Sequence, residues 1–491
     1  MFTSGVQLGD LNDFIEASQE CVVPLFEEKP EQEVLKREIR PDLIKSDPQG
    51  PARVRLNDCL ACSGCVTTAE VVLLEAQSAK LVADIVRAQV DCRRALRSGR
   101  FVEASVLVTV FGLATHSLCA LAKFFSLEPM VFLARLCDAL PDGCYVVDFT
   151  PCEALALLEE SRATKEKAVS SHCPGLVCIM EKTGDPADLD FLSTSPSAQA
   201  IFGRVVHEVV RRDLRSAHFS GVFHRPMLGA ALARAMSHLL PSQIHVVSVQ
   251  PCYDKKLEAL RPEYYVEGQP EVSCVLGANE LLEVLHQLHL IEPAADNSWK
   301  FKVEPRRGIF KRKPPSPKSV VSQPNYIHWG KCQTKVPVFV PNHFASGGFA
   351  EYVALSESTS VHSVQGKNSD LWELAWAGRH EDGKLTSKTG IVGYGLRNIN
   401  TLLRKLTTTS ATYLEIMACP RGCVNGGAHG LLLKGLEHPL DCMNSVVLTT
   451  ARQHADPLCA ELTRRSVHLP RLEPRAVKPP ENVITHSDLK W

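Results

Sequence analysis

The chain has 491 residues, 45% of them hydrophobic and 22% charged, which excludes a disordered or collagen-like polymer. That length allows about two to four domains with ample core. Lysine and arginine number 54 against 55 aspartates and glutamates, so a net charge of −1 gives no electrostatic case for nucleic acid or an anionic membrane surface. The 18 cysteines are too dilute for a small secreted disulfide scaffold.

The opening MFTSGVQLGD lacks the basic and apolar regions of a secretory signal, and Asp10, Asp13, Glu16 and Glu20 come too early for a transit peptide. The expected setting is the cytosol, where thiols cluster for metal or catalysis. Residues 1–50 are polar and punctuated by Pro24, Pro30, Pro41 and Pro48, with one short helix predicted over Leu11–Ala17. After a cysteine cluster at 59–65, Val71–Ser98 is predicted as one helix. Val72, Leu73, Ala76, Leu81, Ile85 and Ala88 recur at helical spacing there, without Gly or Pro.

From about residue 101 the texture becomes α/β. Phe101–Val110, Tyr145–Phe149 and Ile244–Val249 read as strands, and Thr115–Phe125 and Leu281–Leu290 as helices. Such alternation implies a largely parallel sheet. The longest apolar stretch, Val106–Ala122, is interrupted by Thr109, Thr115, His116 and Ser117 and falls short of the roughly 20 apolar residues of a membrane span. Pro293–Pro324 is basic and proline-rich, an exposed linker or insertion. Order resumes at Tyr326, and from about Pro470 the chain is again polar and proline-rich. The expected organisation is an amino-terminal cluster segment 1–98, α/β parts at 99–292 and 326–470 separated by the insertion 293–325, and a tail 471–491.

Cys59, Cys62 and Cys65 form a C-x2-C-x2-C run in which two-residue gaps turn several thiolates toward one soft metal centre, with Gly64 relieving crowding. Bacterial ferredoxins place a fourth cysteine three residues further on; Ala69 stands there, so the fourth ligand comes from elsewhere. Cys21 is the candidate, because closing a longer loop costs little more than closing a short one. A [4Fe–4S] cluster is favoured over a structural zinc knot, since zinc sites usually bring two separate C-x2-C pairs. Three further segments set cysteine beside Pro or Gly: His172-Cys173-Pro174-Gly175, Pro251-Cys252-Tyr253-Asp254-Lys255, and Cys419-Pro420-Arg421-Gly422-Cys423 followed by Gly426-Gly427. Each sits where a predicted strand ends or a glycine turn begins, the place where α/β sheets bind ligands. Four thiols meeting there would make a second site, with glycine admitting close backbone approach; the bland alternative is that each is a small buried hydrophobe.

These segments resemble the signature stretches of iron-only hydrogenases. They are closer still to the cytosolic hydrogenase-like proteins of the nuclear-prelamin-A-recognition-factor-like (Nar) family, which acts in cytosolic iron–sulfur protein assembly. The resemblance runs from Asp10-Leu11-Asn12-Asp13-Phe14-Ile15 and Cys21-Val22-Val23-Pro24 through Val249–Glu258, Ser346-Gly347-Gly348 and Gly395–Asn398 to Cys423. It implies a two-lobed hydrogenase-like α/β fold carrying two [4Fe–4S] clusters. One would be held by Cys21, Cys59, Cys62 and Cys65, the other by Cys173, Cys252, Cys419 and Cys423. Lys255, Glu258 and Met417 fall where hydrogenases line a two-iron subsite. His172, however, stands where hydrogenases place the proton-shuttle cysteine, Gln250 replaces a Met, Leu176 replaces a Trp, and the glycines continue into Ala428-His429. Proton delivery at the reacting atom is what general acid catalysis supplies, so these departures argue against an enzyme, although His172 is itself able to carry protons.

The remaining ten cysteines are expected to be structural, with Cys178 the likeliest exception. Gly390–Gly395 lacks the P-loop Lys-Ser/Thr ending and reads as a turn packed near the cluster. His286 and His289 lack the intervening Glu and the spacing of a zinc helix and read as surface residues. The basic run Arg306–Lys318 reads as solvated linker, with nuclear import left open, and Leu489-Lys490-Trp491 resembles an apolar–acidic–aromatic docking tail with Lys in place of the acid. The expected function is a non-catalytic carrier or adaptor that helps deliver clusters to cytosolic and nuclear apoproteins, partnered by WD40-type and HEAT-repeat components of the targeting complex. The rivals are a redox enzyme with residual hydrogenase-type activity and a pure interaction protein that binds zinc or nothing.

Overall fold

A computed structural model describes residues 74–100, 106–147, 149–163, 167–220, 230–293, 299–302, 326–327, 346–358, 360–379, 385–429, 432 and 451–476. All belong to a compact unit that begins at Leu74. The predicted helix Leu11–Ala17, the cysteines at 21, 59, 62 and 65, the basic run and the terminal tripeptide lie outside the described residues.

Two five-stranded sheets organise this unit. In the first, the order is β10 (Tyr326–Ile327), β2 (Cys144–Val147), β1 (Val108–Leu113), β4 (Ile244–Gln250), β7 (Cys274–Gly277), and every pairing is parallel. β1 and β4 are buried at every position, which is why they read as predominantly apolar segments rather than alternating ones. From β1 the chain moves outward to β2 on one side, and from β4 to β7 on the other. The sheet therefore has its topological switch point between β1 and β4, where a crevice opens beyond the strand ends. The helices Thr115–Phe124, Pro129–Ala139 and Ala278–Gln287 supply much of the apolar cover. No single helix among the described residues is long and apolar enough to cross a membrane.

The second sheet runs β11 (Val361–Gln365), β12 (Leu371–Arg379), β13 (Leu385–Tyr394), β14 (Tyr413–Met417), β3 (Ala168–Val169). Its β11–β12–β13 part is antiparallel and its β13–β14–β3 part parallel. Two short hairpins, β5 (Tyr265–Val266) with β6 (Gln269–Pro270) and β8 (Ile291–Pro293) with β9 (Trp299–Phe301), complete the strands.

Several expectations need correcting. The predicted helix Val71–Ser98 is interrupted at Gln77–Ser78 and restarts as Ala79–Arg97, with the Ser78 hydroxyl accepting from the Leu81 amide. Gln77 leaves the helix because it is used elsewhere: its side chain donates to the Lys256 carbonyl at 3.1 Å and accepts from the Val275 amide at 2.9 Å. The helix expected at Leu281–Leu290 starts earlier, at Ala278, where the Glu280 carboxylate accepts from the Gly277 amide at 2.7 Å. The strand expected to end at Val110 continues to Leu113. Gly390 and Gly393 lie inside β13, and only Gly395, at φ 85°, forms a turn.

Candidate metal centre

The parallel strands deliver their cysteines at their carboxyl ends. Cys252 follows β4 at the switch point of the first sheet. Cys173 follows β3 and caps the helix Pro174–Thr183, and Cys419 and Cys423 follow β14. β14 and β3 are hydrogen-bonded neighbours, with Leu414 opposite Val169 and the Ser170 amide donating to the Leu414 carbonyl at 2.8 Å. Two residues beyond Cys173, Gly175 lies against both other segments: a methyl group there would stand 2.7 Å from the Asp254 carboxylate and 3.1 Å from the Ala418 side chain. The Ala418 amide donates to Cys173 Sγ at 3.3 Å. Gly426 crowds the other side, where an added Cβ would meet the Pro251 carbonyl oxygen at 2.2 Å, and the Ala428 amide donates to that same oxygen at 3.1 Å. The turn after Cys423 is thus pressed onto the turn that carries Cys252.

All four thiols are free, and burial is the leading influence on each. It pushes Cys423 up to about 12, and lifts Cys252 and Cys419 well above the ordinary thiol range. After burial, the neighbours matter. Asp254, Cys423 and Cys173 raise Cys252 further, Cys252, Cys423 and Cys173 raise Cys419, and Cys173 raises Cys423. Lys255 works the other way and lowers Cys252, Cys173 and Cys423. Burial opposes its own charge, but Glu258 more than compensates and holds the ammonium on. Glu258 also accepts from the Ser197 hydroxyl. A soft metal centre therefore has to displace protons from these sulfurs on binding.

Among the described residues, no three Cys, His, Asp or Glu side chains converge tightly enough for a single metal ion. Zinc at 2.3 Å from each sulfur would require sulfurs within about 4 Å of one another. Four thiols on turns packed against one another, with glycines at the contacts and an amide aimed at one sulfur, suit a polynuclear iron–sulfur group, which interposes its own atoms between its ligands. The donor set fits such a cluster.

His172 precedes Cys173 and is buried. Its ring stacks on Phe349 at 3.7 Å and 6°, and its Nε2 lies 3.1 Å from Glu160 Oε2. Glu160 also accepts from Ser193 and from Tyr413, each at 2.7 Å, and from Ser195. Burial alone would raise the Glu160 carboxyl; the bonds from His172, Ser195 and Tyr413 outweigh it and the net shift is downward. Nothing in the sequence singled out Glu160, Ser193, Ser195 or Tyr413, because the contact joins residues up to 253 positions apart. Lys255, Glu258, Met417 and Leu176 are buried or nearly so around the thiols, and the buried Gln250 donates to Ser248 at 2.7 Å. Of the cysteines expected to be structural, Cys119, Cys137, Cys144, Cys152 and Cys274 are buried, and Cys92, Cys178 and Cys459 half-buried. His286 is exposed at the helix surface against Trp299.

The family model for the iron-only hydrogenase large subunit, C-terminal domain, matches residues 142–226 and 222–427, more than half the chain. An [FeFe]-hydrogenase of Chlamydomonas reinhardtii is 17% identical, with a TM-score of 0.49, covering 79% of this chain and 99% of that one. Sequence relatives are nearer. The Cytosolic Fe-S cluster assembly factor narfl of Xenopus tropicalis is 31% identical over 461 residues, 87% of this chain and 84% of that protein. The Cytosolic iron-sulfur assembly component 3 of Mus musculus is 30% identical over 465 residues, with the same coverages. The chain belongs to the hydrogenase-like family of cytosolic iron–sulfur cluster assembly factors, as its motifs had suggested.

Proposed function

We propose that this protein is a cytosolic iron–sulfur assembly factor that carries two [4Fe–4S] clusters and acts as a non-catalytic adaptor or carrier, helping deliver clusters to cytosolic and nuclear apoproteins. The observation that carries the reading is the packing of the turns that bear Cys173, Cys252, and Cys419 with Cys423, from three separate strand ends: the Ala418 amide donates to Cys173 Sγ at 3.3 Å, and the Ala428 amide donates to the Pro251 carbonyl at 3.1 Å. These four would hold the second cluster. Cys21, Cys59, Cys62 and Cys65 would hold the first, on the strength of their spacing and of family resemblance. A bound [4Fe–4S] group supplies one-electron chemistry or a cargo of iron and sulfide. The chain's own part is to exclude water, to donate the Ala418 amide to the Cys173 sulfur, and to set Lys255 against the negative charge of four thiolates.

His172 favours the non-enzymatic reading. Its Nε2 is engaged by Glu160 and Ser195 and its face is covered by Phe349, so the position filled by a shuttle thiol in hydrogenases holds a packed, hydrogen-bonded ring. The partners proposed from the family are the WD40-type and HEAT-repeat components of the targeting complex, with Trp491 as a docking point, and apo iron–sulfur clients.

The test is iron, sulfide and EPR on anaerobically reconstituted protein. Wild type should hold about eight irons, and the Cys173→Ala/Cys419→Ala variant about four; an unchanged content defeats the second site. Steady hydrogen evolution from reduced methyl viologen would instead establish the rival, a redox enzyme with residual hydrogenase-type activity.

A further inference from the structure

Glu181 lies in the last turn of the helix that Cys173 caps, and it is nine-tenths buried. Three N–H groups converge on its carboxylate. Two come from one guanidinium: Arg261 Nη1 donates to Oε2 at 2.9 Å and Nη2 to Oε1 at 2.8 Å. Arg261 lies two residues beyond the helix Asp254–Ala259, which begins two residues after Cys252, and its amide donates to the Glu258 carbonyl. The third donor is the backbone amide of Arg475, at 2.9 Å. Glu181 therefore joins the helix behind Cys173, the helix behind Cys252 and a distant carboxy-terminal segment at one point.

That segment is a strap. Beyond the helix Ala451–Arg464, residues 467–476 have no helix or strand of their own, yet they are stitched down repeatedly. The His468 carbonyl accepts from Arg204 at 2.7 Å, the Leu472 amide donates to the Thr194 carbonyl at 3.3 Å, and the Glu473 carbonyl accepts from Arg261 at 3.1 Å. The Glu473 amide donates to Glu263, which also accepts from Arg261. Leu472 is buried. A strap that only sealed the surface would have no reason to donate its backbone into a carboxylate that ties both cysteine-bearing segments together.

We infer that Glu181, Arg261 and the strap 467–476 form a clasp that holds the Cys173 and Cys252 helices at a fixed separation, and that this clasp sets how slowly the second cysteine set releases iron. Glu181 and Arg261 are positioning residues, because neither touches a sulfur. The inference rests on the second cysteine set holding an iron–sulfur cluster. It makes the strap a control element: a partner that draws the chain beyond Ala476 away from the body pulls on Arg475, and through Glu181 loosens the cage.

The experiment uses the full chain with Cys59, Cys62 and Cys65 changed to Ala, so that bound iron reports the second set alone. Iron release to a colorimetric chelator is followed anaerobically for this parent and for added Glu181→Gln, Arg261→Lys and Arg475→Pro changes. All should start with the same iron content and EPR signal. Release should quicken about tenfold or more for Glu181→Gln and Arg261→Lys, because Gln removes the charge that the guanidinium grips and Lys cannot reproduce the two-pronged pair. It should quicken about threefold for Arg475→Pro, which removes one backbone donor. Adding Arg475→Pro to Glu181→Gln should change nothing further, a non-additivity that general loosening would not produce. Parental release from Arg475→Pro, an exposed position at which folding is not at risk, overturns the clasp, as do additive rates. A parent that binds no iron defeats the cluster reading itself, and the clasp with it.

Discussion

Replacing Gly426 with alanine tests the centre at its tightest point. The added Cβ would lie 2.2 Å from the Pro251 carbonyl oxygen, more than about 1 Å inside normal contact distance. The obstacle is backbone, so no side-chain rotation relieves it, and the turn carrying Cys423 has to retreat from the turn carrying Cys252. Gly426 has φ −59°, which any residue adopts, so the whole effect is steric. Overpacking costs about 1–3 kcal/mol, and loss of the Ala428–Pro251 hydrogen bond about 1 kcal/mol more. A sum of roughly 2–4 kcal/mol is within the stability of an ordinary domain, so the chain should stay folded while the cage opens. Iron and sulfide content with EPR should show about half the wild-type cluster complement. The neighbouring residue is the control: a Cβ on Gly427 meets nothing nearer than Tyr253 at 3.9 Å, so Gly427→Ala should keep full iron. Full iron with an unchanged spectrum in Gly426→Ala, or equal losses in both variants, would refute the reasoning.

Two further outcomes follow from buried charge. His245 lies in β4, burial lowers its pKa to about 4, and its Nδ1 has no partner among the described residues. Because the folded value lies below the unfolded 6.5, stability is complete above about pH 6.5 and is lost as pH falls toward 4. Between pH 7.5 and 5.0, His245→Leu should therefore gain about 2 kcal/mol on wild type in urea melts of the apoprotein; parallel pH profiles would show the imidazole to be hydrated. Lys256 is buried and donates to the Gln77 carbonyl at 2.7 Å and to Glu280 at 2.8 Å. Lys256→Met should lower unfolding stability by about 3–5 kcal/mol, read from the denaturant midpoint, whereas a cost under about 1 kcal/mol would mean that the partners find water.

The turns that carry the four cysteines were legible in the sequence because their signals are local. Proline and glycine next to Cys173, Cys252, Cys419 and Cys423 mark strand ends and tight turns, and parallel sheets collect strand ends on one side. The all-parallel first sheet was legible for the same reason, since β1 and β4 are rich in β-branched and apolar residues. What escaped were features set by partners far along the chain. Gln77 breaks a helix whose periodicity gives no warning, because Lys256 and Val275 claim its side chain. The antiparallel β11–β13 segment was missed because it offers few buried positions: none in β11, and only scattered ones in β12. Glu181 and Glu160 look like ordinary helix-surface carboxylates until Arg261 and His172 arrive.

β3 has a consequence for biogenesis. This two-residue strand pairs with β14, and 246 positions (419 − 173) separate the cysteines that follow the two. At about 5–20 residues per second, a ribosome needs roughly 12–50 s to make that stretch. During that interval the nascent chain displays Cys173 on an unfinished edge, exposed to stray copper or peroxide before its companions exist. On the proposed reading, a cluster forms here only after Cys423 has been made, and a factor that shields the earlier thiol would serve the site as directly as one that supplies iron.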